Sequence, residues 1–152
     1  MFRLLAASSA ISVLVAGCGS YDGSSSFSMA RGAAKVEVAD SPLGRILVDG
    51  EGRTLYLFEN DNGAGSTCYD VCASSWPPVT TNAQPTAGSG VVAQHLGTTR
   101  REDGKLAVTY AGHPLYRYAG DTKRGDTNGA ALSRFGAGWY VVAPSGQKID
   151  RN

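Results

Sequence analysis

The alternation of apolar and polar residues predicts short β-strands along most of the chain. From Lys35, Val36 and Val38 alternate with polar neighbours, and a short apolar run follows at 46–48. The sequence Asp49-Gly-Glu-Gly52 separates this run from a third apolar segment and is typical of a hairpin turn. We therefore expect a meander of three strands in this part of the chain.

In the third segment, apolar side chains occupy both faces of the predicted strand. Thr54, Tyr56 and Phe58 share one face because side chains alternate along a strand, whereas Leu55 and Leu57 point the other way. A strand that is apolar on both faces is expected in the middle of a fold, where both sides are covered. This strand is therefore predicted to be central.

The same pattern recurs 60 residues later without a gap. Residues 44–61 align with residues 104–121, and both segments end in the pattern Tyr-x-aromatic-x-x-Asp. An internal repeat of this length predicts a duplicated supersecondary unit. We therefore predict a mainly β fold in which two tandem, pseudo-equivalent β-meander repeats, 35–95 and 96–152, close one core. The expected result is one globular domain, residues 35–152, built as a sandwich or a distorted barrel.

Each predicted meander is followed by a loop rich in Gly, Asp and Asn and then by a returning segment. In repeat one, the return is predicted to begin with one or two helical turns capped by Ser66 or Thr67, followed by an extended stretch at Trp76. In repeat two, the loop at 120–129 leads to an extended return at Trp139. Between the repeats, a stretch rich in Thr, Asn, Pro and Gly is predicted to be a linker, residues 80–90.

The first 34 residues are predicted to lie outside the folded domain. Residues 1–17 combine a basic residue with a short apolar run, which is typical of a secretory signal peptide and too short for a membrane anchor. Their end, Leu14-Val-Ala-Gly-Cys18, resembles the lipobox of bacterial lipoproteins, so Cys18 is the predicted lipidation site. The alternative is an ordinary signal peptide with a chance cysteine. Residues 18–34, rich in Gly, Ser and Ala, are predicted to form a flexible lipid-anchored tether.

Charge and targeting together predict a protein of the cell envelope. The chain has 152 residues and a formal net charge of +1, and loss of Arg3 with the signal peptide leaves basic and acidic residues equal in number. This balance does not favour nucleic acid as a partner. The predicted partners are the membrane, reached through acyl chains such as palmitate on Cys18, and an unidentified envelope ligand or protein. Gly19 is not an Asp-type retention signal, which favours the outer membrane in a host with two membranes.

The repeated motif resembles that of a family of predicted bacterial lipoproteins, described as secreted repeats of unknown function. The matching positions are one aromatic pair and one aspartate in each repeat: Tyr56, Phe58 and Asp61, then Tyr116, Tyr118 and Asp121. The run from Cys68 through Cys72 to Trp76-Pro-Pro and the loop at 120–129 also resemble this family. The resemblance covers residues 35–149. It implies an exported, β-rich lipoprotein and no particular activity.

The residues of the repeated motif have a structural and a functional interpretation. In the first, the aromatic side chains fill the core, and Asp61 and Asp121 accept backbone N–H groups in turns. In the second, the aromatic side chains are binding platforms beside acidic loops and hold a sugar or a small cation. Trp76 and Trp139 belong to this possible binding set.

Two cysteines, Cys68 and Cys72, remain if Cys18 is lipidated. An even number in an exported protein predicts one disulfide. On one helical turn their Cα atoms would lie about 6 Å apart, within the range that a disulfide accepts. The alternative is a labile dithiol for thiol–disulfide exchange or electron transfer. The Cys-x-x-x-Cys spacing argues against this alternative, because thioredoxin-like proteins use Cys-x-x-Cys.

The sequence gives little indication of a metal site, a cofactor or catalysis. The two histidines, His95 and His113, have no second ligand at zinc spacing. Weak calcium candidates are Asp121, Asp126 and Asn128, although a distal glutamate is missing. Because no catalytic constellation is found, we predict no cofactor and a non-enzymatic binding or structural module.

Overall fold

The computed structural model describes residues 32–150. The predicted signal peptide, Cys18 and most of the tether lie outside these residues and remain predictions. Between residues 32 and 150, no helix is long and apolar enough to cross a membrane. The described elements are mostly short strands, with one α-helix and one 3-10 helix: β1 Lys35–Ser41, β2 Gly44–Asp49, β3 Tyr56–Phe58, α1 Asp70–Ser75, β4 Thr86–Ala87, 3-10 helix Ala93–His95, β5 Leu96–Arg100, β6 Leu106–Tyr110, β7 His113–Pro114, β8 Leu132–Arg134, β9 Ala137–Val142 and β10 Lys148–Ile149.

The strands form three small sheets. The first has the order β2-β1-β4, the second β10-β9-β3 with β8 also on β9, and the third β5-β6-β7. Strand pairs are antiparallel except for β4, which runs parallel to β1. Among the described residues the sheets do not close on themselves. The predicted β-rich fold is therefore confirmed, the barrel is wrong, and the arrangement is at most sandwich-like.

The first two strands of each repeat form the predicted hairpin, but the third strands behave differently from a simple meander. β7 pairs with β6 in repeat two, whereas the segment before β3 makes only one bridge to β2, between Val48 and Thr54. β3 itself pairs with β9 of the other repeat, with Phe58 opposite Trp139. The segment 53–55 keeps the predicted pairing with β2, since Asp49 donates its backbone N–H to the Arg53 oxygen and Leu55 donates its backbone N–H to the Leu47 oxygen. The residues of β3 itself pair across the repeats instead.

Repeat two also pairs with the returning segment of repeat one. Tyr116 of repeat two bridges Pro78 in the returning segment of repeat one, and Arg117 donates its backbone N–H to the Pro77 oxygen at 2.9 Å. At the centre, Tyr56 and Tyr116 exchange two backbone hydrogen bonds, each 2.9 Å long. The two repeats are thus related by an approximate two-fold axis that passes between these tyrosines.

Two buried clusters form the core, and each contains residues from both repeats. Tyr56 and Phe58 face one cluster, while Leu55 and Leu57 face the other. This confirms the predicted facing of the third segment and its burial on both sides. β3 is also bonded on both edges, because β9 pairs with one edge and the bridge between Tyr56 and Tyr116 continues the other.

The helix in the returning segment of repeat one begins later than predicted. α1 starts at Asp70 after Tyr69, whose side chain makes no capping bond. The two predicted capping hydroxyls are engaged elsewhere: the Ser66 hydroxyl lies 2.6 Å from the Tyr116 hydroxyl, and the Thr67 hydroxyl donates to Asp61 at 3.1 Å. Neither is therefore an N-cap.

The segment predicted as a linker is partly ordered against the start of the described chain. β4 lies within it and pairs with β1. The Thr81 hydroxyl accepts the Ala34 N–H at 3.0 Å, and Asn82 donates its N–H to the Gly32 oxygen at 2.8 Å. Residues 32–34, assigned to the tether by composition, therefore pack on the domain. β8 and β10 had no sequence prediction.

Candidate functional site

The two copies of the motif bond to each other through their side chains. The Tyr56 hydroxyl donates to Asp121 Oδ2 at 2.5 Å, and the Tyr116 hydroxyl donates to Asp61 Oδ2 at 2.7 Å. Each tyrosine thus binds the aspartate of the other repeat. We call these four side chains the Tyr–Asp clasp. They explain why the motif spaces a strand tyrosine five residues from an aspartate that lies beyond the strand end.

The second oxygen of each clasp carboxylate closes a loop. Asp61 Oδ1 accepts the Thr67 N–H at 2.8 Å, and Asp121 Oδ1 accepts the Asn128 N–H at 2.9 Å. The predicted acceptance of backbone N–H groups is present, but it spans six or seven residues instead of a tight turn. Each aspartate therefore joins its own loop to the tyrosine of the other repeat.

Burial shifts the protonation equilibria of the clasp. It raises the pKa of Asp61 and Asp121 above the ordinary value of 3.8, and the hydrogen bonds that the carboxylates accept oppose this rise. Burial also raises the pKa of Tyr116, with a further contribution from the nearby Asp61 charge. Tyr116 therefore remains a protonated donor over the ordinary pH range.

Four aromatic rings form a continuous stack across the approximate two-fold axis. Phe58 stacks on Trp139 with ring centres 4.0 Å apart, and Trp139 stacks on Trp76 at 4.0 Å. Trp76 stacks in turn on Tyr118 at 4.3 Å. The clasp tyrosines meet the stack edge-on, Tyr56 against Trp76 at 5.3 Å and Tyr116 against Trp139 at 5.2 Å. The i+2 aromatic of each motif thus packs on the tryptophan of the other repeat.

The structure therefore brings all the predicted motif residues together, with their aromatic faces against one another. Tyr56, Phe58, Tyr116 and both tryptophans are at most 2% exposed, and Tyr118 is partly exposed. A flat platform for a sugar needs an open face. In this arrangement Trp76 and Trp139 each stack on two neighbouring rings, and Tyr118 alone of the set keeps partial exposure.

The predicted disulfide between Cys68 and Cys72 is confirmed. The Cα atoms are 5.2 Å apart, but Cys68 precedes α1, so the two residues do not share one helical turn. Both residues are buried, with 0% and 7% exposure. At the end of the helix, Trp76 donates its N–H to the Cys72 oxygen at 2.7 Å. The disulfide therefore fixes the turn that places Trp76 in the stack.

A buried arginine supports the same region. Arg101, 3% exposed, donates to the Ser66 hydroxyl at 2.7 Å and to the Cys68 oxygen at 2.8 Å. Ser66 in turn contacts the Tyr116 hydroxyl, so the guanidinium is linked to the clasp through one side chain. No local pattern predicts this role, because an arginine at the end of a hairpin strand is ordinarily exposed.

A second buried charge lies at the end of β2. Asp49, 2% exposed, accepts from Arg53 Nε at 2.8 Å and from Arg117 Nε at 2.6 Å. Burial alone would raise its pKa. The Arg53 backbone N–H and the Arg117 side chain outweigh this effect and hold the pKa of Asp49 below its ordinary value. This ion-pair group joins the two repeats and was also missed from sequence.

The weak metal candidates are engaged in other contacts. Asp126 Oδ2 caps the N–H groups of Thr122 and Lys123 at 3.0 Å each. His95 lies edge-on to Tyr110 at 5.2 Å. In the part of the chain that the structure describes, no three His, Cys, Asp or Glu side chains form a group that could hold a metal ion.

A cavity of about 330 Å³ lies beside the first motif and reaches Asp61. Glu59 and Lys148, which line it, form an ion pair at 2.6 Å, and Lys148 also lies 4.1 Å above the ring of Tyr140. At the position equivalent to Leu57 in its wall, repeat two has Arg117, which pairs with Asp49. The two repeats therefore differ at this position, which is apolar in repeat one and carries an ion-paired charge in repeat two.

Comparison with known proteins matches the two halves of this architecture. A family model described as "secreted repeat of unknown function" matches twice, at residues 37–80 and 97–143. Searches of curated proteins and of solved structures found no match. The two matched ranges contain both copies of the motif, the disulfide and both tryptophans.

Proposed function

Because the chain belongs to the family of secreted repeats of unknown function, we propose that it is an exported, lipid-anchored protein of the bacterial envelope. In this role it binds a partner or supports the envelope and catalyses no reaction. Anchoring rests on the lipobox ending at Cys18 and on the short Gly/Ser/Ala segment that follows it. In a cell with two membranes the outer membrane is the favoured location.

One observation carries the non-enzymatic part of the proposal. The hydroxyls and carboxylates of the duplicated motif bond to each other across the two repeats, and their second contacts hold the loops. Groups bonded in this way stabilise the fold and are poorly placed to bind or convert a substrate. The motif therefore specifies how the two repeats join, and partner binding is expected on another surface.

Membrane fractionation tests the anchor. Cys18→Ser removes the acyl acceptor, so this variant should move from the membrane fraction to the soluble exported fraction. Cys68→Ser with Cys72→Ser is the matched control, since it also removes thiols but keeps Cys18. Unchanged partitioning of Cys18→Ser would refute lipid anchoring.

The alternative is an envelope thiol–disulfide or electron-transfer module that uses Cys68 and Cys72. It is less well supported, because both residues are buried and reactive cysteines are partly exposed. A reduction potential below about −300 mV is expected for a structural disulfide. A potential near about −200 mV, with one thiol that reacts quickly at neutral pH, would favour the redox alternative instead.

A further inference from the structure

A cleft of about 460 Å³ lies between the first residues of the linker and the hairpin of β5 and β6. Thr80 and Asn82 line it from the linker, and Arg100 and Lys105 line it from the hairpin. All four residues are exposed, so the cleft is open to solvent. Among residues 32–150, none of those that line this cleft is acidic. The cleft therefore carries two positive charges.

The two cations of the cleft are not paired with carboxylates. Within the described part of the chain, neither Arg100 nor Lys105 forms an ion pair. Arg100 donates instead to the backbone oxygen of Gly104 at 2.9 Å. The Asp103 carboxylate lines an adjoining cleft, which Lys105 also borders, and accepts from Arg101 Nε at 3.2 Å. Two positive charges in one cleft repel each other, and a bound anion removes that repulsion.

The equivalent surface of repeat one carries opposite charges. Arg100 and Lys105 follow Asp40 and Arg45 by 60 residues. Asp40 lies directly opposite Arg45 in the register of β1 and β2. Repeat two thus has a second cation where repeat one has an acidic residue. The excess positive charge is particular to repeat two, and the architecture that the repeats share does not require it.

The cleft lies where the predicted tether reaches the domain. Asn82 donates its N–H to the Gly32 oxygen at 2.8 Å, and the Thr81 hydroxyl accepts the Ala34 N–H at 3.0 Å. Asn82 and Thr81 also line the cleft. As a flexible coil, the stretch from Cys18 to Gly32 would span about 20 Å. Acyl chains on Cys18 would therefore keep the cleft close to the lipid headgroups.

We propose that this cleft, here called the basic cleft, binds the phosphate group of an anionic phospholipid headgroup. The proposal deepens the lipid-anchored role proposed above and rests on it. An arginine binds phosphate through two parallel hydrogen bonds, and a lysine adds a point charge. The side chains of Thr80 and Asn82 supply neutral donors. The basic cleft thus gives the domain a second contact with the membrane that holds its tether.

Vesicle sedimentation tests the proposal on the exported chain with Cys18→Ser, which has no acyl chain to hold it. Vesicles of phosphatidylglycerol and phosphatidylcholine are compared with vesicles of phosphatidylcholine alone, in which choline neutralises the phosphate charge. We expect binding to the anionic vesicles. Arg100→Gln with Lys105→Gln should weaken this binding by at least about tenfold, because basic residues near an anionic surface are attracted to it.

The matched control removes the same charge from another exposed position of repeat two. Lys123 and Arg124 are adjacent, exposed, and form no ion pair within residues 32–150. Lys123→Gln with Arg124→Gln should leave vesicle binding within about twofold, since the attraction falls off within a Debye length of the membrane surface.

A second measurement distinguishes a lipid headgroup from free phosphate. Inorganic phosphate, titrated into the same chain without further substitution and followed by NMR, should shift the signals of Arg100 and Lys105 at millimolar concentration. It should shift those of Lys123 and Arg124 less. Half-saturation should require at least about tenfold less lipid phosphate than inorganic phosphate, because the anionic surface concentrates the chain at the headgroups.

Three results would overturn the proposal. They are no binding to anionic vesicles, equal losses for the two pairs of substitutions, and half-saturation at the same concentration of inorganic and lipid phosphate. Equal losses would mean that net charge alone attracts the chain, and equal concentrations would assign the cleft to free phosphate. The lipid anchor is tested separately: with Cys18 intact, Arg100→Gln with Lys105→Gln should remain in the membrane fraction. Failure of the basic cleft therefore leaves the fractionation result untouched.

Discussion

The loops that follow the two motif copies hold equivalent aspartates but are stabilised by different contacts. In each loop an aspartate carboxylate accepts a hydrogen bond from the tyrosine hydroxyl of the other repeat, at 2.7 Å for Asp61 and 2.5 Å for Asp121. The loop of repeat one is braced by a disulfide, by α1 and by the buried Arg101. The loop of repeat two is held by Thr54 of repeat one, whose hydroxyl donates to the backbone oxygen of Asp126 at 2.6 Å. It is also followed by the hairpin of β8 and β9.

This comparison separates what is duplicated from what is particular to each half. Each repeat contributes one tyrosine and one aspartate to the clasp and two rings to the stack. Among residues 32–150, the disulfide and α1 belong to repeat one, and Arg101 reaches across from repeat two to the Ser66 hydroxyl and the Cys68 oxygen in the loop of repeat one. The shared part therefore defines the junction between repeats, whereas each loop has acquired its own support. Variants at paired positions can test both statements.

The largest effect is expected from the two tryptophans of the stack. Trp76→Ala and Trp139→Ala each remove a buried ring that stacks on two others, so each should lower the free energy of unfolding by about 3–5 kcal/mol. Chemical denaturation measures both losses. Val71→Ala, at an exposed position, is the control. A loss below about 1 kcal/mol for only one of the two variants would show that the two tryptophans contribute unequally to stability.

The next effect concerns the clasp hydroxyls. Tyr56→Phe and Tyr116→Phe keep the rings but remove the donor to a half-buried carboxylate, at a cost of about 1.5–3 kcal/mol each. The two losses should be similar if the halves are equivalent. Tyr69→Phe serves as a control, because its hydroxyl accepts the N–H of Glu102 at an exposed position. Similar losses for Tyr69→Phe and the clasp variants would contradict the central role of the clasp.

A smaller and one-sided effect is expected from the disulfide. Because the closed loop is short, chain entropy assigns it only about 2 kcal/mol. In Cys68→Ser with Cys72→Ser, hydrogen exchange should rise in residues 62–72 and stay unchanged in residues 122–130. Equal acceleration in both loops would mean that the disulfide stabilises the whole junction and not repeat one alone.

The smallest effect should appear in the pH dependence of stability. The pKa of Asp61 and of Asp121 is raised in the fold, so their contribution is fully present below 3.8 and is lost as pH rises through the folded pKa values. The pKa of Asp49 is lowered, so its contribution is present above 3.8 and is lost as pH falls through its folded value.

Denaturation curves at successive pH values can separate these opposite signs. Asp61→Asn with Asp121→Asn should reduce the fall in the free energy of unfolding as the pH rises above 3.8. Asp49→Asn should reduce the fall in the free energy of unfolding as the pH drops below 3.8. Identical pH profiles for these two variants would contradict the assigned directions.

The sequence predicted the parts of the fold that depend on side-chain alternation and on spacing. The repeat, the first hairpins, the two faces around Tyr56 and the disulfide all follow from local patterns. The pairing of β3 with β9 does not, because alternation indicates which face is buried but not which strand lies beside it. Arg101 and Asp49 were missed for a related reason: their burial depends on partners far away in the chain.

The reciprocal junction also bears on how an exported chain folds during secretion. The hydrogen bond of Tyr56 requires Asp121, and the ring contact of Phe58 requires Trp139. These contacts of the first repeat therefore cannot form until most of the second repeat has been exported. Contacts between residues so distant in sequence make folding slow. The junction between the halves can therefore form only after both repeats have emerged, whereas the β1–β2 hairpin needs no residue of the second repeat.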